Sequence, residues 1–210
     1  MGAGILPIAI YKGQLYFLFG KENKYADTPG YADFGGGSLN KSESLIQTAI
    51  REFTEETTGF WGTVDEVTDY INTMGTGYID IPAAPGSRRA ISYRTYLLPV
   101  KYSPLFEKYY NNNHAFIESR LPEDVYKNSK IFEKSQVKWM TINDLYAAIL
   151  KSDALEENPS KRKHVGKNDI MFRPYYMNTI RQLVDNYDKI HAFVSDRMSN
   201  SGNYLTTPDL

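Results

Sequence analysis

The chain has 210 residues, with 24 lysines and arginines against 25 aspartates and glutamates, and a formal net charge of −1. This length suffices for one substantial core, or for one domain with an appendage. The near-neutral charge excludes a global field that would draw the protein to nucleic acid or to an anionic membrane.

Other sequence features narrow the class of protein further. No apolar run approaches the roughly 20 residues of a membrane span. The segment 1–10 lacks the basic region, apolar stretch and cleavage site of a signal peptide. The chain has no cysteine, which excludes disulfides and thiol catalysis. We therefore expect an intracellular, cytoplasmic protein.

The first predicted elements are two apolar segments, 5–11 and 14–20, which are separated by Lys12-Gly13. This pattern predicts a β-hairpin with a two-residue turn. A short strand at 31–34 then leads into three successive glycines at 35–37. Three glycines allow the backbone to turn sharply and to approach another group closely.

The rest of the chain alternates between further apolar and polar segments. In chain order we predict a loop at 22–30, a helix at 42–58, strands at 64–70 and 78–81, a loop at 82–89, a strand at 91–100, an irregular or partly helical stretch at 101–130, a strand at 137–141, a helix at 143–150, a polar segment at 151–169 and an amphipathic helix at 175–194. Strands and helices mix without a regular βαβ alternation, which indicates an α+β fold or a mixed-sheet sandwich. We expect residues 1–150 to form one domain, with 151–210 as a basic loop and a C-terminal helix packed on it and a frayed tail.

The predicted helix at 42–58 carries an unusual charge at its end. Glu52, Glu55 and Glu56 lie within five residues, where the helix dipole disfavours negative charge. Each like-charge pair at these spacings costs about 0.2–0.5 kcal/mol on an isolated helix. Arg51 offsets only part of this cost, whereas a divalent cation would balance it and leave positions for phosphate oxygens. The alternative is a solvated acidic helix face.

The same helix has an apolar stripe and recognisable ends. At 100° per residue, Leu45, Ala49 and Phe53 fall on one side, which we expect to pack on a sheet, with the carboxylates along its edge. Asn40 or Ser42 is a candidate cap for the first turn, and Gly59 is placed to end the helix.

The spacing of these residues resembles that of a known family. From Gly37 the chain reads Gly, five residues, Glu43, seven residues, Arg51, Glu52, Phe53, one residue, Glu55, Glu56, two residues and Gly59. This pattern is similar to the Nudix box. It departs from that box in having two residues instead of one before the last glycine, and in having Gly35 where many members have proline. We expect the helix end to absorb the extra residue and Gly35 to loosen the loop.

The resemblance implies a fold, a metal site and a reaction. The fold would be an α/β/α sandwich around a mixed sheet. Mg²⁺ or Mn²⁺ would bind to Glu52, Glu55, Glu56 and the backbone carbonyl of Gly36, with Glu56 as the indispensable ligand. Arg51 would orient the carboxylates, and Glu43 would lie in an outer shell.

A further acid is often found ahead of a late Trp-containing strand in this family. Glu133 precedes Trp139 by six residues and is the candidate, with an ordinary exposed glutamate as the alternative. Glu118 and Asp124 are weaker rivals. Water would attack a phosphorus atom, and Glu52, Glu55 or Glu133 would accept its proton.

The sequence determines the substrate poorly. Arg88 and Arg89 are candidates to bind phosphates or are solvated loop cations. Tyr78, Tyr31 and Phe34 are candidates to stack on a base, although Phe34 fits a core position better. The basic run at 161–164, with Lys167 and Arg173 nearby, would suit an RNA backbone, but a solvated loop is the favoured interpretation.

Three functions remain open. The first is a pyrophosphohydrolase of a small nucleoside diphosphate derivative, such as a nucleotide sugar, a dinucleoside polyphosphate or a nucleoside triphosphate. The second is a decapping-type RNA 5′-end hydrolase, which the basic segment and the long C-terminal extension favour mildly and the near-neutral net charge does not. The third is a non-catalytic nucleotide-binding module, against which the complete set of box glutamates argues. We expect no membrane partner. The sequence leaves the oligomeric state open, and a dimer is compatible with it.

Overall fold

A computed structural model describes residues 1–129, 132–157 and 170–200 of the chain. Within these ranges the strands are β1 (Gly2–Tyr11), β2 (Gln14–Glu22), β3 (Tyr31–Ala32), β4 (Phe34–Gly37), β5 (Gly77–Pro82), β6 (Ile91–Pro99) and β7 (Lys134–Thr141). The helices are α1 (Leu45–Glu56), α2 (Val64–Met74), α3 (Pro104–Arg120), α4 (Glu123–Asn128), α5 (Ile142–Glu157), α6 (Met177–Asp185) and α7 (Tyr187–Asn200), and a 3-10 turn spans Pro174–Tyr176.

All the strands join one mixed sheet. Its main order is β3-β2-β1-β6-β5, while β4 pairs with the first half of β1, and β7 pairs with β2. β1 and β6 run parallel, and the other pairs are antiparallel. Helices cover both faces of this sheet, which confirms the predicted α+β class.

The hairpin between β1 and β2 forms as predicted. Its two central residues, Lys12 and Gly13, both have positive φ angles, of 51° and 78°. Two-residue hairpin turns of this kind require positive φ at both positions, because their twist then matches that of the strands. Cα pairing from Ile8 with Phe17 to Tyr11 with Gln14 fixes the register.

The sheet separates two hydrophobic cores. Successive side chains of a strand point to opposite faces, so Ile5 of β1 enters one core and Leu6 the other. The first core lies under α1, α2 and α3 and contains Phe53 and Tyr110, and the second lies under α5, α6 and α7 and contains Ile180. The candidate site belongs to the face that α1 covers.

The predicted strand at 64–70 is wrong, because this segment belongs to α2. Thr63 caps the helix in a capping box, in which its hydroxyl accepts from the backbone of Glu66 while the Glu66 carboxylate accepts from the backbone of Thr63. The buried residues Val67, Tyr70, Ile71 and Met74 then recur at helical spacing. The apolar composition of this segment is compatible with a strand, but the capping box at Thr63 indicates a helix.

Several other boundaries also differ from the predictions. The segment expected to be irregular or partly helical, 101–130, holds α3 and α4, with Ser103 as cap and Pro104 in the first turn. α5 runs on to Glu157, beyond the predicted end of this helix at residue 150. The expected C-terminal helix is divided at Asn186 into α6 and α7.

The predicted ends of the charged helix were also displaced. α1 begins after Ser44, which forms a capping box with Gln47, whereas Asn40 accepts hydrogen bonds from Ser42 and Glu43 in the preceding turn. At the other end, Thr58 has a φ of 51° and Gly59 a φ of 72°. The extra residue before Gly59 is therefore accommodated by a second left-handed position, and α1 itself keeps its regular spacing.

Gly35 does not loosen a loop, contrary to expectation, because it lies in β4 and pairs with Gly4 of β1. A Cβ atom on Gly35 would lie 2.3 Å from the hydroxyl oxygen of Tyr93 and 2.4 Å from the Cα atom of Gly4. The neighbouring backbone leaves no room for a side chain. Glycine is required at this position by close packing of two strands.

The basic run at 161–164, Lys167 and the last ten of the dozen residues predicted to fray, 201–210, lie outside the described residues. Among the helices of the described ranges, none has the length and apolar character needed to cross a membrane.

We expect Gly35→Ala to lower the free energy of unfolding by about 2 kcal/mol or more, because β1 would have to move. Gly37→Ala is the matched control, since a Cβ atom there meets nothing within 4 Å. Urea unfolding of both variants measures the difference. Equal stability of the two variants would contradict the close packing at Gly35.

Candidate functional site

The glutamates of α1 lie at the C-terminal end of the helix, beside β4. The buried face of the helix, including Ala49, Ile50 and Phe53, packs on the sheet. The three side chains differ in exposure. That of Glu55 is 38 % exposed, that of Glu52 14 % and that of Glu56 only 3 %. The sequence predicted all three carboxylates along the edge of the apolar face, but the Glu56 carboxylate is buried inside the protein.

Arg51 connects most of the charged groups of this region. Its Nε atom lies 2.9 Å from Glu43 Oε1, and its Nη1 atom lies 2.8 Å from Glu52 Oε1 and 3.4 Å from Glu55 Oε2. Its Nη2 atom donates to the carbonyl of Gly37 at 3.0 Å. Arg51 thus fixes two of the three box carboxylates, and its hydrogen bond is the main cause that lowers the pKa of Glu43.

Gly36 brings the backbone of β4 against Glu52. A Cβ atom at this position would lie 2.5 Å from Glu52 Oε1 and 2.6 Å from Glu52 Cδ. Only glycine allows this approach. The structure therefore brings together the carboxylate and the backbone that the sequence predicted as neighbours in a metal site.

Glu56 is the most buried of the predicted ligands. Its Oε1 atom lies 3.2 Å from the ammonium nitrogen of Lys134, while Oε2 is buried without a hydrogen-bond partner among the described residues. Burial raises the pKa of Glu56 well above its usual value; Lys134 opposes the shift, and the charges of Glu22 and Glu133 add to it.

The sequence did not single out Lys134 or Glu22, and it pointed to Arg173 only as a neighbour of the basic run at 161–164. Lys134 Nζ lies 2.5 Å from Glu22 Oε1, and Arg173 Nη1 lies 2.9 Å from the same oxygen. Glu22 was assigned to a loop, but it ends β2, and Lys134 adjoins the predicted Glu133. No spacing rule links residues so far apart in the chain, so only the folded arrangement reveals them.

Glu133 lies beside this group of charges. Its charge contributes to the raised pKa of Glu56, and it lines a cavity of about 280 Å³. The cavity is also lined by Glu22, Asn23, Tyr25, Ala26, Asp27, Lys127 and Arg173. The two weaker candidates for the role of Glu133 lie elsewhere in the sequence of elements. Glu118 forms an ion pair with Lys24, and Asp124 lies in the first turn of α4.

The described part of the chain contains no group of three acidic or histidine side chains already arranged around a metal position. The reason is visible in the contacts, because Arg51 holds Glu52 and Glu55 while Lys134 holds Glu56. A divalent cation is nevertheless supported by the donor set. Glu56 Oε2 is a buried carboxylate oxygen without a hydrogen-bond partner in the described part of the chain, and oxygen ligands of this kind suit Mg²⁺ and Mn²⁺.

The three candidate substrate residues, Arg88, Arg89 and Tyr78, belong to β5 and to the segment that follows it. Arg88 and Arg89 are exposed in the segment between β5 and β6. Tyr78 is 57 % exposed on β5, and the guanidinium carbon of Arg94 lies 4.0 Å from its ring centroid. Arg94, which the sequence analysis did not select, also binds both carboxylate oxygens of Asp80 at 2.6 and 2.7 Å. The other stacking candidates, Tyr31 and Phe34, are buried.

Two further buried groups with shifted pKa values lie near the site. Asp33, on the opposite face of the sheet, accepts from Tyr93 at 2.9 Å and from Thr95 at 2.7 Å. Burial raises its pKa from 3.8 to about 6, although these hydrogen bonds oppose the shift. His114 of α3 is stacked on Tyr110 at 4.1 Å, and neither of its ring nitrogens has a hydrogen-bond partner among the described residues. Burial lowers its pKa from 6.5 to about 4.

Comparison with known proteins gives distant matches. No protein-family model matches the chain. An uncharacterized protein of Acanthamoeba polyphaga mimivirus is 46 % identical over 57 residues, which are 26 % of this chain and 18 % of that protein. The matched segment thus spans less than a fifth of the curated relative.

Solved structures similar to this one include proteins named as hydrolases. An Ap4A hydrolase of C. elegans in a binary complex is 14 % identical, with a TM-score of 0.43 and coverage of 90 % of this chain and 97 % of that one. RenU, a Nudix hydrolase from M. smegmatis, is 12 % identical, with a TM-score of 0.48 and coverage of 90 % and 86 %. NrtR of Shewanella oneidensis is 14 % identical, with a TM-score of 0.42 and coverage of 92 % and 68 %. These likenesses are too distant to indicate the activity or the substrate of this chain.

Asp33 and His114 should give opposite pH dependences of stability. Between pH 3.8 and about 6, folded Asp33 keeps a proton that Asp33 of the unfolded chain has lost. Its contribution to the free energy of unfolding therefore falls as pH rises. Between about pH 4 and 6.5, His114 binds a proton in the unfolded chain but not in the folded one. Its contribution to the free energy of unfolding therefore increases as pH rises. Each shift of a little over two pKa units corresponds to about 3 kcal/mol.

We therefore expect the free energy of unfolding of Asp33→Asn, relative to wild type, to increase as pH rises through this range. That of His114→Phe should decrease by a similar amount. Urea unfolding in a metal chelator at several pH values between 4 and 7 measures both differences. A flat difference for either variant would show that its carboxyl or imidazole titrates normally in the folded protein.

Proposed function

We propose that this chain is a metal-dependent hydrolase of the Nudix family, which cleaves the pyrophosphate link of a nucleoside diphosphate joined to another moiety. One observation carries the proposal. The residues of the box-like sequence come together at the end of α1, where Gly36 adjoins Glu52 and Arg51 holds Glu52 and Glu55. Glu56 has a buried carboxylate oxygen that no described residue hydrogen-bonds.

In this proposal Glu52, Glu55, Glu56 and the backbone of Gly36 would hold Mg²⁺ or Mn²⁺. The bound cation supplies charge neutralisation of the diphosphate and lowers the pKa of the attacking water. Arg51 keeps two of the carboxylates in place, so that little reorganisation is needed. Glu52, Glu55 or Glu133 would accept the proton from water.

The substrate class stays broad in this proposal and includes nucleotide sugars, dinucleoside polyphosphates and nucleoside triphosphates. In this proposal the group joined to the diphosphate binds in the cavity of about 280 Å³. The cavity adjoins the carboxylates, because Glu22 and Glu133 belong both to its lining and to the charged cluster at Glu56. Its other lining residues include Tyr25, Lys127 and Arg173. No contact of the described residues favours capped RNA over a small substrate.

Metal should stabilise the protein. Saturating Mg²⁺ or Mn²⁺ should raise the melting temperature of the wild type, because the cation binds the folded state. Glu56→Gln should melt no lower than the wild type without metal, since burial disfavours the charge of Glu56. It should also gain less from metal. Thermal unfolding with and without metal tests this, and no metal effect on the wild type would contradict the site.

A product assay tests the activity. The panel contains nucleotide sugars, dinucleoside polyphosphates, nucleoside triphosphates and capped RNA, each with Mg²⁺ and with Mn²⁺. We expect one class to be cleaved by the wild type and at least about a hundredfold more slowly by Glu56→Gln. Glu157→Gln, which removes an exposed carboxylate of α5, is the control and should retain the wild-type rate.

Cleavage of capped RNA in preference to the small substrates would favour the RNA hydrolase. If wild type and Glu56→Gln were equally inactive on every class, the pyrophosphohydrolase assignment would be abandoned for the non-catalytic module.

A further inference from the structure

Lys134 occupies a position that is shaped for a lysine. Its side chain is 1 % exposed, which makes it the single buried lysine of the described residues. Its aliphatic part passes over Gly20, where a Cβ atom would lie 2.9 Å from Lys134 Cγ and Cδ. The ammonium group then ends between two carboxylates, Glu22 and Glu56. Gly20 is therefore what allows the charge of Lys134 to reach the candidate metal site.

A β-bulge gives Lys134 this orientation. Cα pairing runs from Gly20 with Val137 and Lys21 with Gln136 to Glu22 with Lys134, so Ser135 is skipped. An extra residue in a strand reverses the face to which the preceding side chain points. Lys134 consequently points to the face of the sheet that α1 covers, which is the face of Glu56.

The burial of this charged network is costly. Ion pairs lose hydration when they are buried, and apolar residues of similar size are often as stabilising or more so. The network is nevertheless continuous, because Arg173 contacts Glu22, Glu22 contacts Lys134, and Lys134 contacts Glu56. Its end is Glu56, whose second oxygen has no partner among the described residues.

Arg173 extends the network into the C-terminal part of the chain. The backbone of the segment 171–173 is bound to β3, with Tyr31 N donating to the carbonyl of Met171 and Arg173 N donating to the carbonyl of Tyr31. The Arg173 guanidinium also donates to the hydroxyl of Thr28. The side chain is thus held in place at the cavity wall, with Nη1 left to contact Glu22.

We propose that Lys134 is a positioning residue that supplies a built-in positive charge to Glu56 and thereby sets the affinity of the site for its divalent cation. This inference rests on the proposed function. Lys134 holds Glu56 Oε1 and leaves Oε2 for the cation. Glu22 and Arg173 control how strongly the ammonium group is drawn away from Glu56.

The network predicts opposite effects for different substitutions. Lys134→Met removes a positive charge and frees Glu56 Oε1, and Arg173→Met leaves Lys134 as the main cation for Glu22, so both should tighten metal binding. Glu22→Gln removes the carboxylate that competes for Lys134, so it should weaken metal binding. Each change should be on the order of tenfold, because the charges lie close together in a region of low exposure.

The test is calorimetric titration of the full chain with Mn²⁺ alone. Lys138→Met is the matched control, since it removes a partly buried lysine of the same strand, and its affinity should stay within about twofold of the wild type. If Lys134→Met does not fold, Arg173→Met and Glu22→Gln decide the question, because Arg173 is partly exposed and glutamine keeps the size of Glu22.

A purely structural network predicts the same direction for all three variants, because each of them breaks the same set of buried ion pairs. Changes in one direction, or affinities equal to that of the wild type, would therefore overturn the inference while the proposed function stands. Absence of Mn²⁺ binding by the wild type would overturn both.

Discussion

The arrangement of this protein around its charged helix depends on one constraint, which is that a carboxylate can be buried only beside a positive charge or another polar partner. α1 must bury Phe53 and Ile50 against the sheet, and this carries Glu56 into the interior as well. Lys134 provides the nearby positive charge. The consequences reach Gly20, which makes space for the lysine, and Glu22 and Arg173, which complete its surroundings.

Close packing of glycines is the second condition for this arrangement. Gly35 lies against Gly4 and Tyr93, and Gly36 lies against Glu52, so β4 approaches both β1 and the helix more closely than other residues would permit. The strand therefore presents backbone, and not side chains, to the carboxylates. This places a carbonyl-bearing segment where the proposed cation site needs oxygen ligands.

The opposite face of the sheet carries its own buried polar group. Asp33 receives hydrogen bonds from Tyr93 and Thr95, and Thr95 lies 3.3 Å from the hydroxyl of Tyr176, which belongs to the 3-10 turn. The C-terminal part of the chain thus contacts polar groups on both faces, through Arg173 on one and Tyr176 on the other. The short segment that contains Arg173 and Tyr176 is for this reason part of these polar surroundings.

The sequence by itself determined the elements whose signals are local. The hairpin follows from Lys12-Gly13 between apolar segments, and the charged helix follows from the spacing of its apolar residues and glutamates. The grouping of Glu52 with Gly36 and Arg51 was also predictable, because all three belong to one continuous motif. The predicted strand at 64–70 failed because a capping box at Thr63 outweighs the strand-like composition.

Only the tertiary structure decided the surroundings of Glu56. Alternation along β7 would direct Lys134 away from α1, and the bulge at Ser135 reverses that direction. Lys134 binds Glu22 across 112 residues and Arg173 binds Glu22 across 151 residues, and no periodicity encodes such contacts. Their positions depend on how strands pair and where a bulge falls, which are properties of the assembled sheet.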